Sequence, residues 1–134
     1  MLRIVRNRFI AAYGIAQKPI PVGAFVQVWN LFYLCSPKLD LAISAIRGLM
    51  PPLPLCSTAS MAAPIVWFAW GGSDPFLNSF KGRFLKRIGP VSHSFFYDKN
   101  TKCVKAWAPT ANDFAKHPQG LPAAPIDTFL ATIV

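Results

Sequence analysis

Thirteen prolines are spread through a chain of 134 residues. Each removes a backbone donor and locks φ at about −65°, so none sits easily inside a long helix or a central strand. A large uninterrupted sheet or a long helical bundle is thereby excluded. The chain has to be assembled from short pieces joined by proline-rich connections. Its length allows one domain at most, or one or two membrane spans with flanking arms.

Composition narrows the choice. Hydrophobic residues make up 53% and charged residues 14%, against about 25% charged in an average soluble domain. Such a chain is too apolar for intrinsic disorder. Net charge is +9, from 14 Lys+Arg against 5 acids. All five acids are aspartates, at positions 40, 74, 98, 113 and 127. A chain without glutamate is a poor coiled coil or charged-surface bundle. The balance points to a basic, apolar chain that needs a membrane or a larger assembly for stability.

The first 18 residues, MLRIVRNRFIAAYGIAQK, carry Arg3, Arg6, Arg8 and Lys18, and no acid precedes Asp40. Arginines alternate with Leu2, Ile4, Val5, Phe9 and Ile10. A basic, acid-free, amphipathic start has the form of a mitochondrial presequence. No apolar run follows the arginines at once, which argues against a secretory signal. The expectation is an uncleaved import signal that doubles as a structural arm. Cys35, Cys56 and Cys103 are widely spaced and odd in number, which suits a reducing compartment better than a disulfide framework.

Residues 19–37 carry no charge. A helix over 22–35 would span about 21 Å, short of the ~30 Å hydrocarbon core unless the N-terminal helix continues into it. Trp29, Phe32 and Tyr33 cluster as in an interfacial aromatic belt. The reading is a membrane-embedded helix or, failing that, a buried core helix. Residues 39–50 form a short helical pattern that ends at Pro51. PPLP is a common chance motif and carries no ligand reading here. SMAAPIVWFAWGG (60–72) is expected as a re-entrant or interfacial helix anchored by Trp67 and Trp70; a packed protein interface would use the same residues.

The clearest element is 73–89. Ser73 or Asp74 caps it, Pro75 suits its first turn, and Gly89-Pro90 ends it. Phe76, Phe80, Phe84 and Ile88 recur at i, i+4, while Lys81, Arg83, Lys86 and Arg87 fill the remaining surface. Then the period changes. Residues 91–97 and 102–108 flank DKNT as a β-hairpin. The segment 109–134 carries four more prolines and reads as an extended arm, with a short apolar anchor over 126–134.

Catalytic motifs are weak. Five separated aspartates offer no carboxylate pair of the kind that needs two acids a few ångströms apart; Asp74 reads as a cap and Asp98 as a turn residue. His93 and Cys103, placed on partner strands, are candidates for a thiol–base pair, and His117 for a zinc ligand beside them. The paired spacing of zinc ligands is missing. Gly71-Gly72-Ser73 before a helix would suit an anion, but Asp74 opposes one.

The fold expected is mostly α with irregular proline-rich connections. It has one or two membrane-embedded or buried apolar helices, one basic amphipathic helix and one small β-hairpin, in an extended, non-globular subunit. Its parts are a basic arm (1–18), an apolar membrane-associated region (19–72), the basic helix (73–89), the hairpin (90–108) and an extended C-terminal arm (109–134). The function expected is that of a non-catalytic accessory subunit of a mitochondrial inner-membrane complex, of the respiratory chain or ATP synthase, supporting assembly. Lys81, Arg83, Lys86 and Arg87 are expected on anionic, cardiolipin-like headgroups. Trp29, Tyr33, Trp67 and Trp70 are expected as membrane-interface or subunit anchors. No cofactor is implied. The alternative is a mitochondrial ribosomal protein binding rRNA through its basic segments. Fourteen cations are an ordinary number for this length, and two long uncharged stretches weigh against RNA.

Overall fold

Ile65-Val66-Trp67-Phe68 is a run of β-branched and aromatic residues directly after Pro64, and such a run favours a strand. In the computed structural model, which describes residues 1–29, 38–47, 63–71, 74–89, 91–110 and 112–134, it is one. Strand β1 (Ile65–Phe68) pairs in parallel with β2 (His93–Asp98), with Ile65 opposite His93 and Phe68 opposite Phe96. Strand β3 (Cys103–Lys105) pairs antiparallel on the other side of β2, with Asp98 opposite Cys103. The sheet order is β1-β2-β3, so β2 is central.

Four α-helices accompany this sheet among the described residues: α1 (Leu2–Ile15), α2 (Leu39–Arg47), α3 (Asn78–Leu85) and α4 (Ala123–Ala131). A 3-10 turn over Pro75–Leu77 leads into α3. Parallel neighbours need a crossover rather than a tight turn, and α3 supplies it between β1 and β2.

Alternation along the strands sends side chains to opposite faces. Val66, Phe68 and Phe96 face one core, with Ala42, Ile43 and Ile46 of α2, Leu77, and Phe80 and Phe84 of α3. Phe95 and Tyr97 face the other, with Ile65 and Trp67, Ala12 of α1, and Ile126 and Leu130 of α4. The result is a three-layer arrangement, with the sheet covered on both faces. The Phe76–Phe80–Phe84 spacing read from the sequence is the stripe that α3 and its lead-in turn against the first core.

Local chemistry fixes the ends. Asp74 caps the 3-10 turn, its Oδ1 accepting from the Phe76 N–H at 2.9 Å. Asp98 holds the β2–β3 turn, accepting from the Asn100 N–H and the Thr101 hydroxyl, each at 2.9 Å. Helix α1 closes through Gln17 at φ 53°. The Gln17 N–H donates to the Gly14 carbonyl and the Lys18 N–H to the Tyr13 carbonyl, a Schellman close followed by Pro19.

Gly71 is needed where it stands. Its φ is +69°, and a Cβ there would lie 2.9 Å from the His117 Cβ. Its N–H donates to the Ala115 carbonyl at 2.9 Å, and the Lys116 N–H donates to the Tyr97 carbonyl at 2.9 Å. Residues 114–116 thus run beside the end of β2 where β1 has stopped, with Asp98 and Ala115 bridged. Gly71→Ala combines backbone strain with a backbone-near clash and is expected to cost about 2–4 kcal/mol; a urea unfolding curve measures it.

These features correct the expected fold. The chain is not a mostly α, extended subunit whose only β-structure is one small hairpin: the described residues hold four α-helices and a three-stranded mixed sheet. The 91–97/102–108 pairing exists, but it is two-thirds of a mixed sheet. The segment expected as an interfacial helix over 60–72 supplies β1, a buried-face strand whose alternation is masked by aromatics on both sides. Residues 21–29 are not helical: Pro21 to Ala24 form a turn, with the Ala24 N–H on the Pro21 carbonyl at 3.1 Å and Gly23 at φ +80°. The rest of the expected 22–35 helix lies outside the described residues. No helix among the described residues is long and apolar enough to cross a membrane. The C-terminal segment folds back on the chain, because α4 packs on α1.

Candidate functional site

The four cations expected on one basic face do not share one. Lys81 is 1% exposed. Its Nζ lies 5.7 Å from the centroid of the Trp70 ring, inside the chain's own packing. Burial pushes its amine below the ordinary lysine range. Arg83 is half-buried, its guanidinium 6.0 Å from the Phe80 ring centroid. Only Lys86 and Arg87 are exposed, and they follow the last helical residue, Leu85. Lys81 stands four residues after Leu77 and three before Phe84, both buried, so the helical repeat puts it on the side that faces the core.

The aromatic anchors are also engaged within the chain. Trp67 is half-buried and stacks on Phe95 at 5.3 Å. Trp70 meets Phe68 edge-on at 5.4 Å. Trp29 tilts against Phe84 of α3 at 6.3 Å. Tyr33 lies outside the described residues. The indole Nε1 atoms of Trp67 and Trp70 are buried without a hydrogen-bond partner.

The nucleophile and metal candidates are kept apart. Cys103 is opposite Asp98, whereas His93 is opposite Ile65 at the far end of β2. The Cys103 Sγ lies 3.0 Å from the Thr101 Oγ1. No group of three metal-ligating side chains comes together among the described residues; Cys35 and Cys56 lie outside them, as do Gly72 and Ser73 of the anion-cradle reading. An open cleft of about 550 Å³ runs between α2 and the β1–α3 connection, lined by Leu39, Asp40, Ile43, Ser44, Arg47, Gly71 and Asp74. Two of its charges are paired with each other, since Arg47 Nη2 donates to Asp74 Oδ2 at 2.7 Å.

His117 packs over Gly71, and its Nδ1 accepts the Gln119 N–H at 3.2 Å. Burial first, and then the ammonium of Met1, hold its pKa below the usual histidine value. A lowered folded-state pKa contributes stability that is present above the unfolded pKa of about 6.5 and is lost as pH falls through the folded value. His117→Gln keeps a side-chain acceptor without the titration. It is therefore expected to flatten the part of the stability–pH curve that begins below about pH 6.5, as read by urea midpoints across the acid range. An unchanged slope refutes this.

The most distinctive surface is one the sequence pattern held in surplus. Helix α1 packs Phe9 and Ala12 into the core it shares with α4, and Val5 is buried on the same side of the helix. Arg8 Nη1 donates to Asp127 Oδ2 at 2.9 Å, and Lys18 Nζ donates to the Val134 carbonyl oxygen at 2.6 Å. Leu2, Ile4, Ile10 and Ile15 are left exposed, and Ile20, Val22 and Phe25 continue the exposure beyond the helix. One buried face uses only part of an apolar set spread around the whole helix, and that spread was the available signal. Arg3 and Arg6 are exposed among these residues and meet no acid within the described chain.

No family model, curated protein or solved structure matches the chain.

Proposed function

We propose that this chain is a non-catalytic accessory subunit of a mitochondrial inner-membrane complex, of the respiratory chain or ATP synthase, and that it supports assembly of its neighbours. The observation that carries the reading is the set of large apolar side chains left outside the fold: Leu2, Ile4, Ile10, Ile15, Ile20, Val22 and Phe25 in the first 25 residues. So many large apolar side chains left exposed over so short a stretch mark an interaction site. The basic, acid-free N-terminus supplies the mitochondrial part of the proposal. With Trp29, Trp67 and Trp70 engaged inside the chain, the anchoring role passes to these N-terminal residues.

The test is migration. Mitochondria solubilised in a mild detergent are run on a native gel and blotted for the chain, with a parallel sucrose gradient. Co-migration with a large inner-membrane complex is expected. Migration at the mass of the lone chain, or sedimentation with ribosomal RNA, overturns the proposal.

A further inference from the structure

Helix α1 has two faces of different character. The inner one carries Val5, Phe9 and Ala12, with Phe9 and Ala12 in the core shared with α4. The outer one is built from rows that the helical repeat brings together. Ile4, Ala11 and Ile15, at i, i+7 and i+11, form one row. Arg3 and Ile10, at i and i+7, form another, with Arg6 beside it. Asn7 and Gly14 lie between them. No acid occurs anywhere before Asp40. Beyond the helix, Pro19 and Pro21 stiffen the chain into the Pro21–Ala24 turn, whose Gly23 at φ +80° presents Val22 fully exposed and leaves Phe25 83% exposed.

We infer that the outer face of α1 and the Pro21–Phe25 turn form a docking surface for an anionic lipid bilayer. The inference rests on the membrane-side placement proposed above. Charge complementarity identifies the occupant. The exposed surface interleaves branched apolar side chains with arginines and lacks any negative group. A helix lying in a bilayer interface places its apolar side chains at the acyl boundary and its arginines on phosphates. An RNA groove would have no use for exposed Ile4, Ile15, Val22 and Phe25. The turn is held by two prolines and a hydrogen bond, so little ordering entropy is lost when Val22 and Phe25 insert. The surface is distinct from the 81–87 cations, of which Lys81 is buried.

The test uses the full chain and sedimentation with vesicles of phosphatidylcholine, with and without phosphatidylglycerol. Binding is expected to favour the anionic vesicles. Arg3→Gln with Arg6→Gln is expected to weaken it about thirtyfold, and lysine at both positions to restore it. Val22→Asp with Phe25→Asp is expected to weaken it more than about tenfold. Lys86→Gln with Arg87→Gln leaves the face intact and binding unchanged. All six side chains are exposed, so near-ultraviolet circular dichroism should be unaltered throughout. Equal binding to neutral and anionic vesicles, binding that survives both N-terminal double variants, or binding to an RNA homopolymer in place of vesicles overturns the inference. Vesicle binding without co-migration in a membrane complex leaves the lipid face standing and removes the accessory-subunit proposal. Co-migration without vesicle binding does the reverse.

Discussion

Phe95→Ala is expected to destabilise the chain by about 3–5 kcal/mol. That is a large part of the about 5–15 kcal/mol typical of a single domain. Phe95 sits on the central strand with 0% exposure. Its ring stacks on Trp67 of β1 at 5.3 Å and meets Phe129 of α4 at 5.1 Å. One side chain therefore joins β1, β2 and α4, and its removal leaves a void that three elements would have to collapse around. Urea unfolding followed by near-ultraviolet circular dichroism measures the cost. Trp107→Ala, at an exposed aromatic, is the control and should cost within about 1 kcal/mol. A Phe95→Ala cost as small as the control's would show that β2 is not the centre of the fold.

The second large effect separates two roles for one lysine. Lys81→Glu is expected to cost about 3–5 kcal/mol, because it puts an opposed charge into a buried site against the negative face of the Trp70 ring. Lys81→Met keeps the stem's volume and removes the charge without reversing it, so it should cost less than Lys81→Glu. Headgroup binding by Lys81 predicts the opposite pattern, with both variants folded as well as the parent and both impaired on vesicles. Thermal or urea midpoints of the two variants decide between a packed amine and a surface ligand.

Much of the local structure was legible in the sequence because it depends on neighbours along the chain. Asp74 before Pro75, the phenylalanines four apart, and the Asp98 turn are short-range features, and each plays the part its spacing implies. Strand β1 was not legible as a strand. Its partner lies 28 positions away at His93, and a parallel strand buried on both faces reads as a continuous apolar run that a buried helix shares. The same ambiguity made Trp67 and Trp70 look like anchors for a partner, when their neighbours are Phe95 and Phe68. For the basic residues, the charges were visible, but the core-facing stripe is wider than the phenylalanines four apart. It takes in Leu77 and Lys81 beside Phe84 and leaves Lys86 and Arg87, past the last helical residue, in the open. On α1 the arginines and the excess of apolar positions were both visible, but which apolar row α4 covers depends on a contact 119 positions away.

That separation also sets a timetable. The α1–α4 clasp joins the two ends of the chain, and the Arg8–Asp127 pair spans 119 positions. At a synthesis rate of about 5–20 residues per second, the α1 segment is made roughly ten seconds before its partner. Throughout that interval Val5, Phe9 and Ala12 are as open as Ile4 and Ile10, and the segment offers apolar and cationic side chains without a covered side. Whatever escorts the nascent chain meets both faces of α1. Completion of α4 then withdraws one of them and leaves the other, so closure of the fold converts a segment any chaperone would hold into one with a single remaining side to offer.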